Sequence, residues 1–187
     1  MVRLTRWVCM PLLALAVLAL SSCKEGVRVP TQETVELPIA VKDKQELASL
    51  LSDFAGQQGL YFQDASDFEK DASNGTVSIW MTIYRPLRNG KEWPEIGVYS
   101  EGSHSPWVTF SKSLDQSYSS AADQTREALL AKMQQRWPNL SRVPILPDGG
   151  LPLQRDVRRT PEGLRIDASR ADVYETPHDS PLLTKDL

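Results

Sequence analysis

The side chains most often used in catalysis are scarce in this sequence. The histidines are His104 and His178, and the cysteines are Cys9 and Cys23. His104 lies in Gly-Ser-His-Ser, which lacks the G-x-S-x-G spacing of an activated serine nucleophile. His178 is followed directly by an aspartate and a serine, but neighbouring side chains diverge and do not assemble a hydrogen-bonded triad. The pattern therefore predicts no catalytic residue.

Carboxylates are numerous and raise two other ideas, a calcium site and a glycosidase pair. Asp67, Glu69 and Asp71 are spaced like the start of a calcium-binding loop. The sixth position of that loop is Ala72 where glycine is needed, and the twelfth is Ser78 where a bidentate glutamate belongs. We therefore predict a solvated acidic loop here. A carboxylate pair that hydrolyses a glycan stays open, because carboxylates this common carry little information.

The motifs that hold common cofactors are also missing from the sequence. The cysteines and histidines form no cluster with the spacing of a zinc site. Glycine-rich phosphate loops and dinucleotide fingerprints are absent as well. We therefore expect neither a metal nor a cofactor.

Aromatic side chains are the best candidates for contacts with a partner. Trp80 and Tyr84 lie opposite the aliphatic side chains of a predicted strand, and Trp93 lies near a predicted hairpin tip. Exposed aromatic residues are favoured anchors of protein interfaces. Trp80, Tyr84 and Trp93 are therefore the candidate partner contacts. The alternative is that the C-terminal hairpin or another loop covers them.

The first 23 residues have the zones of a bacterial export signal. Arg3 and Arg6 precede residues 7–20, a run of fourteen residues interrupted only by Pro11. This run is shorter than the roughly 20 residues that a membrane-spanning helix needs. The sequence Leu-Ser-Ser-Cys at 20–23 then resembles the lipobox of bacterial lipoproteins, in which an aliphatic and two small residues precede the modified cysteine.

The lipobox resemblance implies cleavage between Ser22 and Cys23. It also implies a diacylglyceryl thioether on Cys23 and an acyl chain such as palmitate on the new amino terminus, which together hold a protein on a membrane where one chain would not. Lys24 in the next position implies, by the enterobacterial pattern, the outer membrane, with the domain facing the periplasm. Because Cys9 is removed, the mature chain would have no disulfide. An ordinary secretory signal with an incidental cysteine is the alternative.

Two amphipathic helices are predicted in the middle of the chain. The first begins at Asp43, where Glu46 completes the spacing of a capping box, and Gly56 and Gly59 both allow it to end. The second runs from residue 119 or 120 up to Pro138. Both have apolar residues at helical intervals, so each needs an apolar surface to cover.

Residues 76–85 give the clearest strand signal, because aliphatic side chains alternate there with polar and aromatic ones. Asn89 and Gly90 predict a two-residue hairpin, since both residue types tolerate positive φ. The hairpin joins this strand to one at 95–100, and a third strand at 107–111 completes an antiparallel meander. Shorter strands are predicted at 60–62, at 143–146 and at 35–41, the last either an edge strand or extended chain.

These elements predict an α+β fold, in which a meander of three to five antiparallel strands has both amphipathic helices on one face. A split β-α-β variant of ferredoxin-like type is compatible with the order. We expect a signal peptide at 1–22, a lipidated tether at 23–34, the α+β domain at 35–147 and a C-terminal extension at 148–187. The extension contains a possible hairpin around residues 160–163 and a loose tail from residue 176.

Charge argues against nucleic acid as a partner. The signal contains two of the 21 basic residues and none of the 24 acidic ones, so the mature chain has a net charge of −5. Binding to phosphate backbones needs clustered Lys and Arg instead. The absent catalytic set and the aromatic residues favour a non-enzymatic protein-binding module in the periplasm, such as an immunity or inhibitor protein against a toxin or hydrolase. Two alternatives stay open, an accessory subunit of an envelope or secretion assembly and a carboxylate-based cell-wall hydrolase.

Overall fold

The computed structural model describes residues 30–88, 90–113 and 116–174. The predictions for the signal, for Cys23 and for the tail from residue 176 fall outside these residues. Within the described ranges the strands are β1 Thr31–Glu36, β2 Tyr61–Asp64, β3 Val77–Pro86, β4 Glu92–Glu101, β5 Trp107–Ser111, β6 Ser141–Arg142, β7 Val157–Thr160 and β8 Gly163–Ile166. The α-helices there are α1 Lys44–Gln58, α2 Ser66–Ala72 and α3 Gln116–Arg136, and 3-10 helices occupy Val41–Asp43, Gln154–Asp156 and Ala168–Tyr174.

The fold is α+β, as predicted from the sequence. Within the described residues six strands form one sheet in the order β2-β3-β4-β5-β1-β6, and every neighbouring pair is antiparallel. The predicted meander is its centre, β3-β4-β5. The sheet has one strand more than the largest number predicted, because β2, β1 and the two-residue β6 all join it. The β7 and β8 strands form a separate hairpin.

One face of the sheet forms the core with α1 and α3. Alternate side chains of β3 point to this face, and Ile79, Met81 and Ile83 are fully buried there, as the alternation predicted. The strands β4, β5 and β1 add further aliphatic side chains to the same face. The helices contribute Leu47, Leu51, Phe54 and Ala55 from α1 and Leu129 and Met133 from α3.

The start of α1 differs from the prediction. The Asp43 side chain makes no capping hydrogen bond, because residues 41–43 already form a 3-10 turn that leads directly into the helix. Glu46 does not return to the helix start either, and its carboxylate pairs with Arg136 at the end of α3. Of the two glycines expected to allow the end, Gly56 lies within the helix and Gly59 ends it in the left-handed conformation with φ of 65°.

The boundary expected between tether and domain also differs. The structure places β1 at Thr31–Glu36, where the tether was predicted to continue to residue 34 and a strand to begin at 35. The segment lies between β5 and β6 and is held by backbone pairing, which its polar side chains did not reveal. Glu33 is paired with Arg126 at 3.6 Å and with Arg142 at 3.3 Å. The strand predicted at 143–146 is wrong, because the pairing residues are Ser141 and Arg142.

The acidic stretch after β2 contains a short helix in place of the predicted loop. Asp67, Glu69 and Asp71 all lie on α2, which has no apolar face that a sequence pattern could reveal. The helix start is fixed by Ser66, which is buried. Its amide donates to the Asp64 carboxylate at 3.0 Å, and its hydroxyl accepts a hydrogen bond from the Trp80 amide at 3.0 Å.

Candidate interaction surface

The face of the sheet opposite the helices is called the outer face. Cross-strand pairing places a row of large side chains across it, since Trp80 lies opposite Tyr99, and Tyr99 opposite Trp107. Glu36 of β1 continues this row. Directly opposite residues of antiparallel strands share a face, so these four side chains belong to one surface.

The C-terminal segment covers the half of the outer face near β5 and β1. Gln154 is only 3 % exposed and accepts a hydrogen bond from the Glu101 amide at 2.7 Å. Its side-chain amide donates to the carbonyls of Ser105 at 3.0 Å and Tyr99 at 3.5 Å. Trp107 is consequently 3 % exposed. This coverage lies beside Trp107, whereas the alternative weighed from the sequence concerned Trp80, Tyr84 and Trp93.

The β7-β8 pairing confirms the hairpin predicted around residues 160–163, although its first strand begins at Val157, after a 3-10 turn, and not at the predicted Gln154. Arg159 ties it to the sheet by pairing with the Glu36 carboxylate and by donating to the Ser141 hydroxyl at 3.0 Å. The segment is also tied to itself, because the Tyr174 hydroxyl donates to the buried Asp156 carboxylate at 2.6 Å. Burial and this hydrogen bond raise the pKa of Tyr174 above its ordinary value. The extension is thus part of the folded domain as far as residue 174.

The half of the outer face near β2 and β3 is open. Tyr61 is 56 % exposed and Trp80 is 39 % exposed, while Tyr84, which pairs with Tyr61 across the strands, is half-buried. Tyr61, Trp80 and Tyr84 together are called the open aromatic surface. It includes two of the three predicted partner contacts and adds Tyr61. The only sequence signal for Tyr61 was the apolar triplet of its short strand, which gave no indication of its face.

Tyr99 supports this surface from the covered side. Its ring meets the Trp80 ring edge-on, with the centroids 5.7 Å apart and the planes at 88°. The Tyr99 hydroxyl donates to the Glu101 carboxylate. Burial is the main cause that raises the pKa of this phenol, and the hydrogen bond to Glu101 adds to it. The Trp80 ring therefore packs against a hydrogen-bonded partner and stays partly exposed to solvent.

Trp93 does not belong to the outer face, where the other two candidate partner contacts, Trp80 and Tyr84, lie. A bulge in β4 causes the difference, because Ile83 pairs with Ile96 while the next residue, Tyr84, pairs with Pro94. Trp93 is then opposite Arg85 on the helix side of the sheet. Its indole nitrogen is buried and has no hydrogen-bond partner among the described residues.

A small pocket adjoins Trp93 at this end of the sheet. Its volume is about 190 Å³, below the roughly 300–1,000 Å³ that is typical of ligand clefts. Its lining is mostly apolar and consists of Arg85, Leu87, Trp93, Glu95, Ser113, Tyr118 and Ala122. The charges of Arg85 and Glu95 are paired with each other there, and the Arg85 guanidinium also donates to the Thr125 hydroxyl at 2.8 Å. This pair anchors α3 to the sheet.

The remaining chemical groups are dispersed. His104 is exposed in the turn between β4 and β5, and no catalytic partner is placed beside it within the described part of the chain. Backbone and side-chain hydrogen bonds from Ser169 lower the pKa of Asp167, and a hydrogen bond from Thr160 lowers that of Glu162. A carboxyl group that acts as a general acid needs a raised pKa instead. Across residues 30–88, 90–113 and 116–174, no His, Cys, Asp and Glu cluster is placed to hold a metal ion.

The comparisons with known proteins give no family for this chain. It matches no protein-family model, no curated protein and no solved structure at a significant level. In the ranges that the structure describes, no helix has both the length and the apolar character needed to cross a membrane.

Proposed function

We propose that this protein is a lipid-anchored, non-enzymatic binding module of the bacterial envelope, acting as an immunity or inhibitor protein against a toxin or hydrolase. The open aromatic surface is its contact site. One observation carries the proposal: Trp80 and Trp107 lie in the same row of the same sheet face, yet Trp107 is 3 % exposed and Trp80 is 39 % exposed. A large aromatic residue left open on a rigid sheet is a favourable anchor for a partner.

The geometry favours protein recognition over capture of a small molecule. The three side chains lie on paired strands, so little conformational entropy is lost when a partner orders them. They form a surface across β2 and β3, whereas a small molecule requires a concave site. The partner should therefore offer a broad complementary patch.

The lipid anchor would keep this surface close to the membrane. From Cys23 to Pro30 there are seven residues, and a chain of that length spans at most about 25 Å. The prediction for Cys23 is direct: Cys23→Ala removes the thiol that would carry the lipid. We expect loss of lipid labelling and a precursor that is not cleaved normally, with Cys9→Ala as the control. Unchanged processing of Cys23→Ala would reject the anchor.

Cross-linking in the native host tests the binding function. A photoreactive amino acid replaces Trp80 in the full-length protein, and the control position is Gln135, which is exposed on the helix side at α3. We expect a discrete protein adduct from position 80 and none of it from position 135. Equal adducts at both positions would overturn the contact site, and so would the absence of an adduct from position 80 both in undisturbed cells and in cells exposed to a rival's toxin or hydrolase.

The same experiment separates the two kinds of partner. For an immunity or inhibitor protein, the adduct appears only after cells meet the toxin or hydrolase of a rival. For an accessory subunit it is present in undisturbed cells. The first result supports the proposed function, and the second replaces it with the assembly role.

A further inference from the structure

The strand β2 leaves one hydrogen-bonding edge of the sheet open. The Ala65 amide donates to the Trp80 carbonyl at 2.9 Å, which fixes the alternation of paired residues along β2 and β3. Tyr61 and Gln63 therefore direct their backbone groups to β3. Phe62 and Asp64 direct theirs outward, where no described residue pairs with them. Their amides and carbonyls form a short template for another strand.

The opposite edge of the sheet is less suitable. In the described part of the chain that edge is β6, which has only Ser141 and Arg142. The Ser141 hydroxyl accepts a hydrogen bond from Arg159 of the C-terminal hairpin at 3.0 Å. The edge of β2 is therefore the one that an extended chain can reach.

The side chains around the β2 edge are aromatic and acidic. Tyr61 lies at one end, and Phe68 of α2, which is 72 % exposed, follows the other end. Residues 61–75 contain four carboxylates and one lysine, so this stretch has a charge of −3. Asp67 and Asp71 are exposed, and Lys44 lies 3.6 Å from both the Asp64 and the Asp67 carboxylates without neutralising the stretch.

We propose that the β2 edge binds an extended, basic segment of the partner protein by strand addition. This inference rests on the proposed function, because it describes how the same partner is recognised. Backbone hydrogen bonds to Phe62 and Asp64 would supply the pairing, and alternate side chains of the segment would reach the aromatic residues and the carboxylates. Lys and Arg alternating with apolar residues match this surface best. The negative charge also speeds the encounter with a basic partner.

Peptide binding to the full-length protein in detergent tests this mode. The probe is a short peptide of alternating lysine and valine. One control is the same peptide with alternate amides N-methylated, which keeps the charge and removes strand pairing, and another has glutamate in place of lysine. We expect the plain peptide to bind at least about tenfold more tightly than the methylated one, because several hydrogen bonds are lost. Binding should protect the Phe62 and Asp64 amides from hydrogen exchange.

Protein variants test the charge contribution. Asp67→Asn and Asp71→Asn should each weaken binding of the plain peptide about two- to fivefold at low salt, as expected for exposed ion pairs. Asp172→Asn, which removes an exposed carboxylate from the C-terminal 3-10 helix, is the matched control and should leave affinity unchanged.

Equal binding of the plain and methylated peptides would overturn strand addition, and so would binding of the glutamate peptide. Absence of all peptide binding overturns this inference as well. The proposed function has its own readout in the adduct formed from position 80. An adduct without peptide binding therefore rejects only the basic strand, and loss of the adduct rejects the contact site.

Discussion

The two halves of the outer sheet face contain the same kinds of side chain and differ in what covers them. Trp107 and Trp80 lie on either side of Tyr99 in one row, and both belong to antiparallel strands, Trp107 to β5 and Trp80 to β3. Gln154 and the C-terminal hairpin are hydrogen-bonded to the first half, and the second half is exposed at Tyr61 and Trp80. The difference shows that residues far along the chain decide which tryptophan becomes core and which becomes surface.

Replacing each tryptophan gives the sharpest form of this comparison. Trp107→Ala should lower the free energy of unfolding by about 3–5 kcal/mol, because it removes a buried aromatic side chain and leaves a cavity. Urea unfolding followed by circular dichroism measures the change. A loss below about 1 kcal/mol would mean that the C-terminal segment does not seal this half of the face.

Replacing Gln154 tests whether the C-terminal segment covers the half of the outer face near β5 and β1. Gln154→Ala removes the partner of the Glu101 amide and the donor to the Ser105 carbonyl, so partly buried backbone groups lose their hydrogen bonds. We expect a loss of about 1–3 kcal/mol in urea unfolding, with faster hydrogen exchange at Trp107. The matched control is Gln57→Ala on α1, which is exposed and should change stability by less than about 0.5 kcal/mol. Equal effects of the two variants would contradict the role of Gln154.

Trp80→Ala should cost much less stability than Trp107→Ala. The variant loses the edge-on contact with Tyr99, which is worth about 0.5–1.5 kcal/mol. It also loses the buried part of a side chain that is 39 % exposed, whereas Trp107 is 3 % exposed. Its main effect should be on binding, with loss of the partner adduct formed from a photoreactive group at position 61. A variant that unfolds as readily as Trp107→Ala would show that Trp80 is structural.

Raising the pH into the alkaline range should have the smallest of these effects on the free energy of unfolding. The folded protein raises the pKa of Tyr99, so this phenol ionises in the unfolded chain at about pH 10 while it stays protonated in the fold. The stability it contributes is complete below pH 10 and is lost as the pH rises above it. Between pH 9 and 10.5 the loss should stay under about 1 kcal/mol, and Tyr99→Phe should reduce it. An identical pH profile for the variant would contradict the assignment to Tyr99.

The sequence predicted well where the pattern is local. The alternation in residues 76–85 predicted that Ile79, Met81 and Ile83 are core, and it placed Trp80 and Tyr84 on the other face. The predicted end of α1 at Gly59 is equally local, because it depends on one left-handed residue. The predictions for Cys23 and Ser22 stay predictions, since they concern residues outside the described ranges.

The features that the sequence did not predict depend on contacts between distant residues. Trp93 changes face because a bulge at Glu95 adds one residue to β4. Pro94 indicates an edge or a bulge at this strand end, but it does not indicate which face Trp93 takes. The short helix α2 is fixed by Ser66 and Trp80 rather than by an apolar face. The covered half of the outer face depends on Gln154, whose partners lie about 50 residues earlier in the chain.

Hydrogen exchange of the full-length protein, with and without the partner found by cross-linking, tests the central claim most directly. We predict that the partner slows exchange in β2 and β3, residues 61–64 and 77–86, and leaves exchange in α3 and the β7-β8 hairpin unchanged. Protection confined to α3 or to the hairpin, with β2 and β3 unaffected, would contradict it.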